Sequence, residues 1–166
     1  MEIIVRPPET LSWNTVQARC AIGRGGVTSN KKEGDGATPA GRFPLRRVMY
    51  RPDRLKPPQT GLPISALRAE DGWCDEPENT AYNQLVKLPF AAAHEALWRD
   101  DNVYDVIVEL GYNDDPIIPG LGSAIFMHVA RPNYDLTEGC VALALEDLLE
   151  LLSQCDETTV LSVKMP

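Results

Sequence analysis

A mainly β domain carrying two or three small helices, a β-rich α+β architecture, is what this sequence predicts. Three observations lead there. Fourteen prolines and twelve glycines cut the 166 residues into short pieces. Several of those pieces alternate apolar and polar residues with a period of two, the mark of a half-buried strand. Helical periodicity is confined to a few short stretches near the middle and the end.

The elements follow in chain order. Val16 to Ile22 alternates loosely and predicts a strand, after which Gly23-Arg24-Gly25-Gly26 turns the chain. Residues 30–42 are polar and glycine-rich and predict a loop, and Phe43 to Tyr50 a strand behind it. Residues 51–83 mix prolines, charges and small residues without a period; a long surface excursion is expected, a feature that is often functional. Pro89 to Trp98, with proline at its start and alanines inside, predicts a helix. Val103 to Leu110 predicts a strand with Tyr104, Val106, Val108 and Leu110 on one face. Ala124 to Val129 predicts another, with Ala124, Phe126 and His128 on one side. From Ala144 to Ser153, Leu145, Leu148, Leu149 and Leu152 form a single apolar stripe, hence a helix. Glu146 and Asp147 suit the dipole of its first turn. Thr158 to Lys164 predicts a closing strand.

Length and composition bound the function. Residues 1–166 fit one domain. A formal net charge of −8 opposes non-specific binding to nucleic acid or to an anionic membrane surface. No apolar run approaches the ~18 residues of a membrane-spanning helix. The amino terminus has no basic stretch followed by an apolar core, so a cytoplasmic location is expected. Cys20, Cys74, Cys140 and Cys155 are irregularly spaced and form no CxxC pair; free thiols are expected. Cys74, in a polar context, is the second candidate for a reactive thiol. His94 and His128 are too far apart in sequence to form a metal-ligand pair, and no metal or other cofactor is expected. The segment Gly23 to Gly26 is no phosphate loop, because no lysine-serine pair opens a helix after it.

The chemistry concentrates in His128 to Leu143, HVARPNYDLTEGCVAL. A histidine on an apolar strand is followed by a cysteine that sits after a glycine and ahead of a helix. A thiol is a weak nucleophile until it loses its proton, at a free pKa of about 8.5. A neighbouring imidazole can take that proton. Gly139 permits a sharp turn, and the N–H groups of Gly139 and Cys140 are candidate donors to an oxyanion. The plainer reading of both residues is structural: cysteine packs as a small hydrophobe, and a lone histidine on a strand is commonly a core or surface group.

Several segments together resemble the L,D-transpeptidase (YkuD) family. The family pattern of a strand histidine, a loop and Ser/Thr-X-Gly-Cys-Val is similar to His128 followed by Thr137-Glu138-Gly139-Cys140-Val141. Glu33 to Leu45, EGDGATPAGRFPL, is similar to the family's Gly-Asp-x-x-Thr-Pro-x-Gly-x-Phe segment. Gly72 to Asn83, His94 to Asn113 and Gly120 to His128 resemble a compact subgroup with a Trp-Cys-Asp…Tyr-Asn element. Val129 stands where many members have glycine, Glu138 where many have a second histidine, and Ala142 where an arginine is common. The loop from histidine to cysteine is shorter than usual.

The resemblance implies a β-sandwich-like core and a cysteine acyl-enzyme acting on the L,D bond between meso-diaminopimelate and D-alanine in peptidoglycan stem tetrapeptides. Cys140 would be the nucleophile and His128 the base, with the oxyanion held near Gly139. A backbone carbonyl near Val129 would orient the imidazole. Arg131 is a candidate for the substrate carboxylate, with a solvated loop charge as the plainer reading. Thr137 and Glu138 are further candidates for substrate binding, Thr137 also for support of the turn before Cys140 and Glu138 for tuning the thiol. His94 is a candidate for a substrate contact, with a helix-surface or capping role as the plainer reading. Trp73, Asp75, Tyr82 and Asn83 are candidates for a cleft wall or lid, of which Trp73, Tyr82 and Asn83 would touch substrate, and could equally pin down the long excursion. Water as acceptor gives an L,D-carboxypeptidase, expected here to act on recycled muropeptides in the cytoplasm. An amine acceptor gives a transpeptidase. An inactive wall-peptide or protein-binding module is the third reading, against which the presence of both His128 and Cys140 argues.

Overall fold

The computed structural model describes residues 1–166. The chain begins with β1 (Glu2–Arg6), β2 (Thr10–Trp13), β3 (Val16–Ala21), the short β4 (Val27–Thr28) and β5 (Thr38–Pro39), and the long β6 (Gly41–Tyr50). β7 (Ile64–Ala66), β8 (Asp71–Cys74), β9 (Leu85–Lys87) and β10 (His94–Ala96) follow. β11 (Val106–Leu110), β12 (Phe126–Val129), β13 (Val141–Leu143), α1 (Leu145–Leu152) and β14 (Val160–Val163) complete it.

The main sheet closes on itself. Its strands run β11-β12-β13-β3-β2-β1-β14-β6-β7, and β11 pairs back onto β6. Closure depends on the length of β6. Residues Gly41 to Pro44 pair with β14, while Leu45 to Tyr50 pair with β11. A register shift between Glu109 and Leu110 marks the bend. A closed ring satisfies strand edges that would otherwise invite pairing with other chains. Its interior holds Ile3, Val5, Leu11, Trp13, Val106, Val108, Met127 and Val141, with Leu148, Leu151 and Leu152 of α1 packed among them. The predicted helical stripe is present, but Leu151 is fully buried where Leu145 and Leu149 are only partly so.

A second layer covers the outer face of β11 and β12. The three-stranded sheet β10-β8-β9 supplies it. Trp73, Leu97, Tyr104, Ile107, Phe126 and Cys140 belong to one apolar cluster there. Trp73 meets Phe126 edge-on at 4.9 Å. A strand covered on both faces loses its polar side, which is why Val106, Ile107 and Val108 are all fully buried.

The structure corrects several expectations. The helix predicted at Pro89 to Trp98 is absent: His94, Glu95 and Ala96 form a strand against Cys74, Trp73 and Gly72. Pairing and the burial of Leu97 override the helical propensity of the alanines. One α-helix is present instead of two or three. Residues 51–83 are not a surface excursion, since they carry β7 and β8 and bury Leu62, Leu67, Trp73 and Tyr82. Tyr104 lies in the turn before β11 and joins Ile107 in the outer cluster, not the face of Val106 and Val108. Two strands, β1 and β2, precede the first predicted one. No helix is long and apolar enough to cross a membrane.

Candidate active site

Strand register brings His128 and Cys140 together. β12 and β13 run parallel, with His128 opposite Ala142 and Met127 opposite Val141. Side chains two apart share a face, so Cys140 and Ala142 face the same way, as do Phe126 and His128. Cys140, His128 and Ala142 all line one cleft of about 560 Å³. Its other walls come from the loop around Glu33, from Asp75, from His94 and Glu95 on β10, and from the turn carrying Arg99 and Tyr104.

The nucleophile loop is held by its neighbours in sequence. Thr137 Oγ1 donates to the Cys140 carbonyl at 2.6 Å and accepts the Gly139 N–H at 3.1 Å. The Thr137 backbone bonds Ile22 on one side and Arg24 on the other. Gly139 has φ +135°, and a Cβ there would lie 2.8 Å from the Ala37 carbonyl oxygen. Gly139→Ala is therefore expected to cost about 2–4 kcal/mol from backbone strain and overpacking together. A denaturant titration of the variant checks it; an unchanged midpoint would contradict the close approach.

Both reacting groups rest uncharged. The Cys140 thiol donates to the Ala124 carbonyl at 3.2 Å and accepts the Phe126 N–H at 3.4 Å. Burial, and next the charge of Glu95, push the thiol up to about 12. Burial likewise lowers the His128 imidazole to about 4. Its Nδ1 lies 3.0 Å from the Val129 carbonyl oxygen. A carbonyl only accepts, so Nδ1 carries the hydrogen and Nε2 keeps its lone pair. The Tyr104 ring meets the imidazole edge-on at 5.4 Å, and its hydroxyl donates to Glu95 Oε1 at 2.7 Å.

Several expected site residues are placed otherwise than a direct role requires. The Gly139 N–H is engaged by Thr137, whereas the Cys140 N–H has no acceptor in the chain, so the free oxyanion donor is that of Cys140. Glu138 lines the cleft but forms an exposed pair with Arg24 at 2.8 Å. Glu95, not Glu138, is the carboxylate whose charge bears on the thiol. Trp73, Tyr82 and Asn83 are buried behind the cleft. Trp73 Nε1 donates to Asn83 Oδ1 at 3.0 Å, Asn83 Nδ2 donates to the carbonyls of Tyr112 and Asn113, and the Tyr82 hydroxyl donates to Glu33. They pin the layer down. Cys74 is fully buried and offers no reactive surface. Cys20 and Cys155 pack in the main core.

The remaining expected residues do reach the cleft. His94 lines it with Nδ1 2.8 Å from the Ala92 carbonyl oxygen, and Arg131 lines it beside Asp101. Asp75 has one buried carboxylate oxygen without a partner. Burial and the neighbouring charge of Glu33 raise its pKa. Glu33, Glu95, Arg99, Tyr104 and Ser123 also line the walls; they lie in segments that carry the family resemblance, but nothing in the sequence singles them out as site residues within those segments. Pairing of β10 with β8 places Glu95, and bonds from Tyr82 and Ser123 hold Glu33, so tertiary contacts assemble them. No group of three or more His, Cys, Asp or Glu is placed to hold a metal ion.

A thiol and a tautomerically fixed imidazole in one cleft are the parts of an acyl-transfer site. A family model describing an L,D-transpeptidase catalytic domain matches residues 2–163. The chain belongs to the YkuD family. No curated protein and no solved structure shows significant similarity to it. Membership agrees with the mostly β architecture, and the YkuD match supports activity of the L,D-transpeptidase type on peptidoglycan peptides.

Proposed function

We propose that this YkuD-family chain is a cysteine-dependent L,D-carboxypeptidase that releases D-alanine from peptidoglycan stem tetrapeptides. The observation that carries the reading is the placement of Cys140 and the Nε2 side of His128 in one cleft with a free Cys140 N–H. The cleft volume of about 560 Å³ lies in the range that encloses a single drug-sized ligand. That suits one stem peptide, and a water acceptor needs no second peptide site.

The residues divide the work as follows. His128 Nε2 takes the thiol proton as Sγ attacks the carbonyl carbon of the diaminopimelate L-centre. Attack releases the thiol from the Ala124 carbonyl. The Cys140 N–H receives the oxyanion. When the C–N bond breaks, the imidazolium returns its proton to the leaving amine, and D-alanine departs. Water, deprotonated by the same imidazole, then attacks the thioester carbon. The C–S bond breaks and the proton returns to the thiolate. A neutral thiol and neutral imidazole are the resting pair, so proton transfer waits for substrate.

Mass spectrometry of products from a tetrapeptide, with and without a D-amino acid acceptor, tests the reading. Tripeptide plus D-alanine in both reactions is the expected result. An exchanged or cross-linked product would make the enzyme a transpeptidase, and no turnover at all would leave a binding module. The recycling role in the cytoplasm belongs to the same proposal, and fractionation of cells tests it; enzyme found outside the cytoplasm would overturn it.

A further inference from the structure

The cleft wall beside His128 carries charges that the acyl-transfer steps leave unused. Arg99 lays its fork on Asp101, Nε to Oδ1 at 2.8 Å and Nη2 to Oδ2 at 2.7 Å. Arg131 reaches the same carboxylate through Nη2 at 3.2 Å. The Val103 N–H holds that carboxylate from behind at 3.3 Å. Two guanidinium groups thus share the Asp101 carboxylate, and Glu95 on the same wall is the other carboxylate whose charge bears on Arg99. The Arg131 side chain makes no other hydrogen bond and is 47% exposed. The Nη1 group of Arg99 has no acceptor in the chain. The Arg99 guanidinium lies 5.4 Å from the centre of the Tyr104 ring, the ring that touches His128.

We infer that Arg99 and Arg131, aligned by Asp101, bind the terminal α-carboxylate of the leaving amino acid and confine the enzyme to peptides with a free C-terminus. The inference rests on the carboxypeptidase reading above and names the substrate terminus that reading needs.

Stereochemistry supports it. His128 must give its proton to the leaving amine. In an α-amino acid the amine and the carboxylate hang from one carbon, so a carboxylate oxygen lies roughly 3–4 Å from that nitrogen. The cation that reads it has to flank His128. Three cationic side chains other than histidine line the cleft: Lys31, Arg99 and Arg131. Lys31 is held by Asp35 at 2.5 Å and by the Lys32 carbonyl at 2.8 Å with its side chain only 5% exposed, whereas Arg131 is 47% exposed and Arg99 keeps a free Nη1 group. Arg99 and Arg131 are the cations whose charges bear on His128. Planar guanidinium forks match a carboxylate in two-point contact. Ala142, opposite His128 on β13, keeps this part of the cleft wall small.

The test compares a tetrapeptide ending in free D-alanine with its C-terminal amide, using the purified chain of residues 1–166. The wild type is expected to favour the acid about a hundredfold in kcat/KM, because the amide offers no anion to the guanidinium N–H groups that Asp101 leaves unpaired. Arg131→Gln should reduce that preference about tenfold, and Arg99→Gln with Arg131→Gln should bring the two substrates within about threefold. Equal cleavage of acid and amide by the wild type would overturn the inference and leave the carboxypeptidase reading standing. A double variant that slows both substrates equally would assign the arginines a structural role and also overturn it. Cleavage of neither substrate by the wild type would remove both readings. A measurement without variants gives a further check: D-alanine should inhibit the wild type and D-alaninamide should not, and equal inhibition would count against the carboxylate site.

Discussion

Cys140→Ser is expected to lower D-alanine release by at least about 10⁴-fold while the protein stays folded. The two halves of that expectation have different causes. A serine hydroxyl can keep both local bonds of the thiol, donating to the Ala124 carbonyl and accepting from the Phe126 N–H. It also fits the buried position that Cys140 occupies. Packing and melting temperature should therefore change little. The chemistry should not survive, because an alcohol gives up its proton far less readily than a thiol, and burial in this cleft penalises the anion further. Steady-state assay of the variant beside its thermal melt checks both halves. Wild-type turnover in the serine variant would refute the nucleophile.

His128→Asn is the second large effect, with an expected loss of about 10³–10⁴-fold in kcat/KM. The pH profile of the wild type should show why. The buried imidazole has its pKa lowered to about 4. It is an available base above that value and is lost as a base when pH falls through it. The acid limb of kcat/KM should centre near 4, well below the ~6.5 of a free imidazole. The thiol, pushed up to about 12, stays protonated over the whole working range and adds no second rise before then. An acid limb at 6.5 or above would show that an imidazolium–thiolate pair forms before substrate binds.

Stability follows the same group with a definite sign. The unfolded chain binds a proton at His128 near pH 6.5, and the folded chain binds one only near 4. As pH falls from about 6.5 towards 4, the unfolded state takes up protons that the folded state refuses, and stability declines across that window. His128→Asn should flatten this part of the curve. A denaturant series at several pH values reads it directly.

Much of the site's centre was legible because it is local in sequence. His128, Thr137, Gly139 and Cys140 lie within one short segment, and each has a residue type that its place demands. The glycine tolerates a positive φ against Ala37, the threonine bridges two backbone groups, and the histidine lies one residue before the end of an apolar strand. The alternation of Ala124 to Val129 placed Phe126 and His128 on one side, where both touch Tyr104, although Ala124, at φ +52°, lies before the strand that begins at Phe126. Trp73, Tyr82 and Asn83 were recognisable as a group, but sequence alone left open whether they face substrate or brace the layer. Their burial and mutual hydrogen bonds place them as braces.

What the sequence determined alone is the β-rich class, the strand carrying the histidine, the amphipathic α1 and the segment that holds the thiol. These are properties of neighbouring residues: a period, a turn, a glycine where no Cβ fits. Tertiary structure decided the rest. It made a strand of His94 to Ala96 because β8 offers a partner, and it closed the sheet because β6 is long enough to pair twice. It set Glu95, and not Glu138, close enough for its charge to act on the thiol. It also brought Arg99 and Arg131 to one carboxylate beside His128. Distances between segments remote in sequence depend on packing and register, and no periodicity along the chain encodes them.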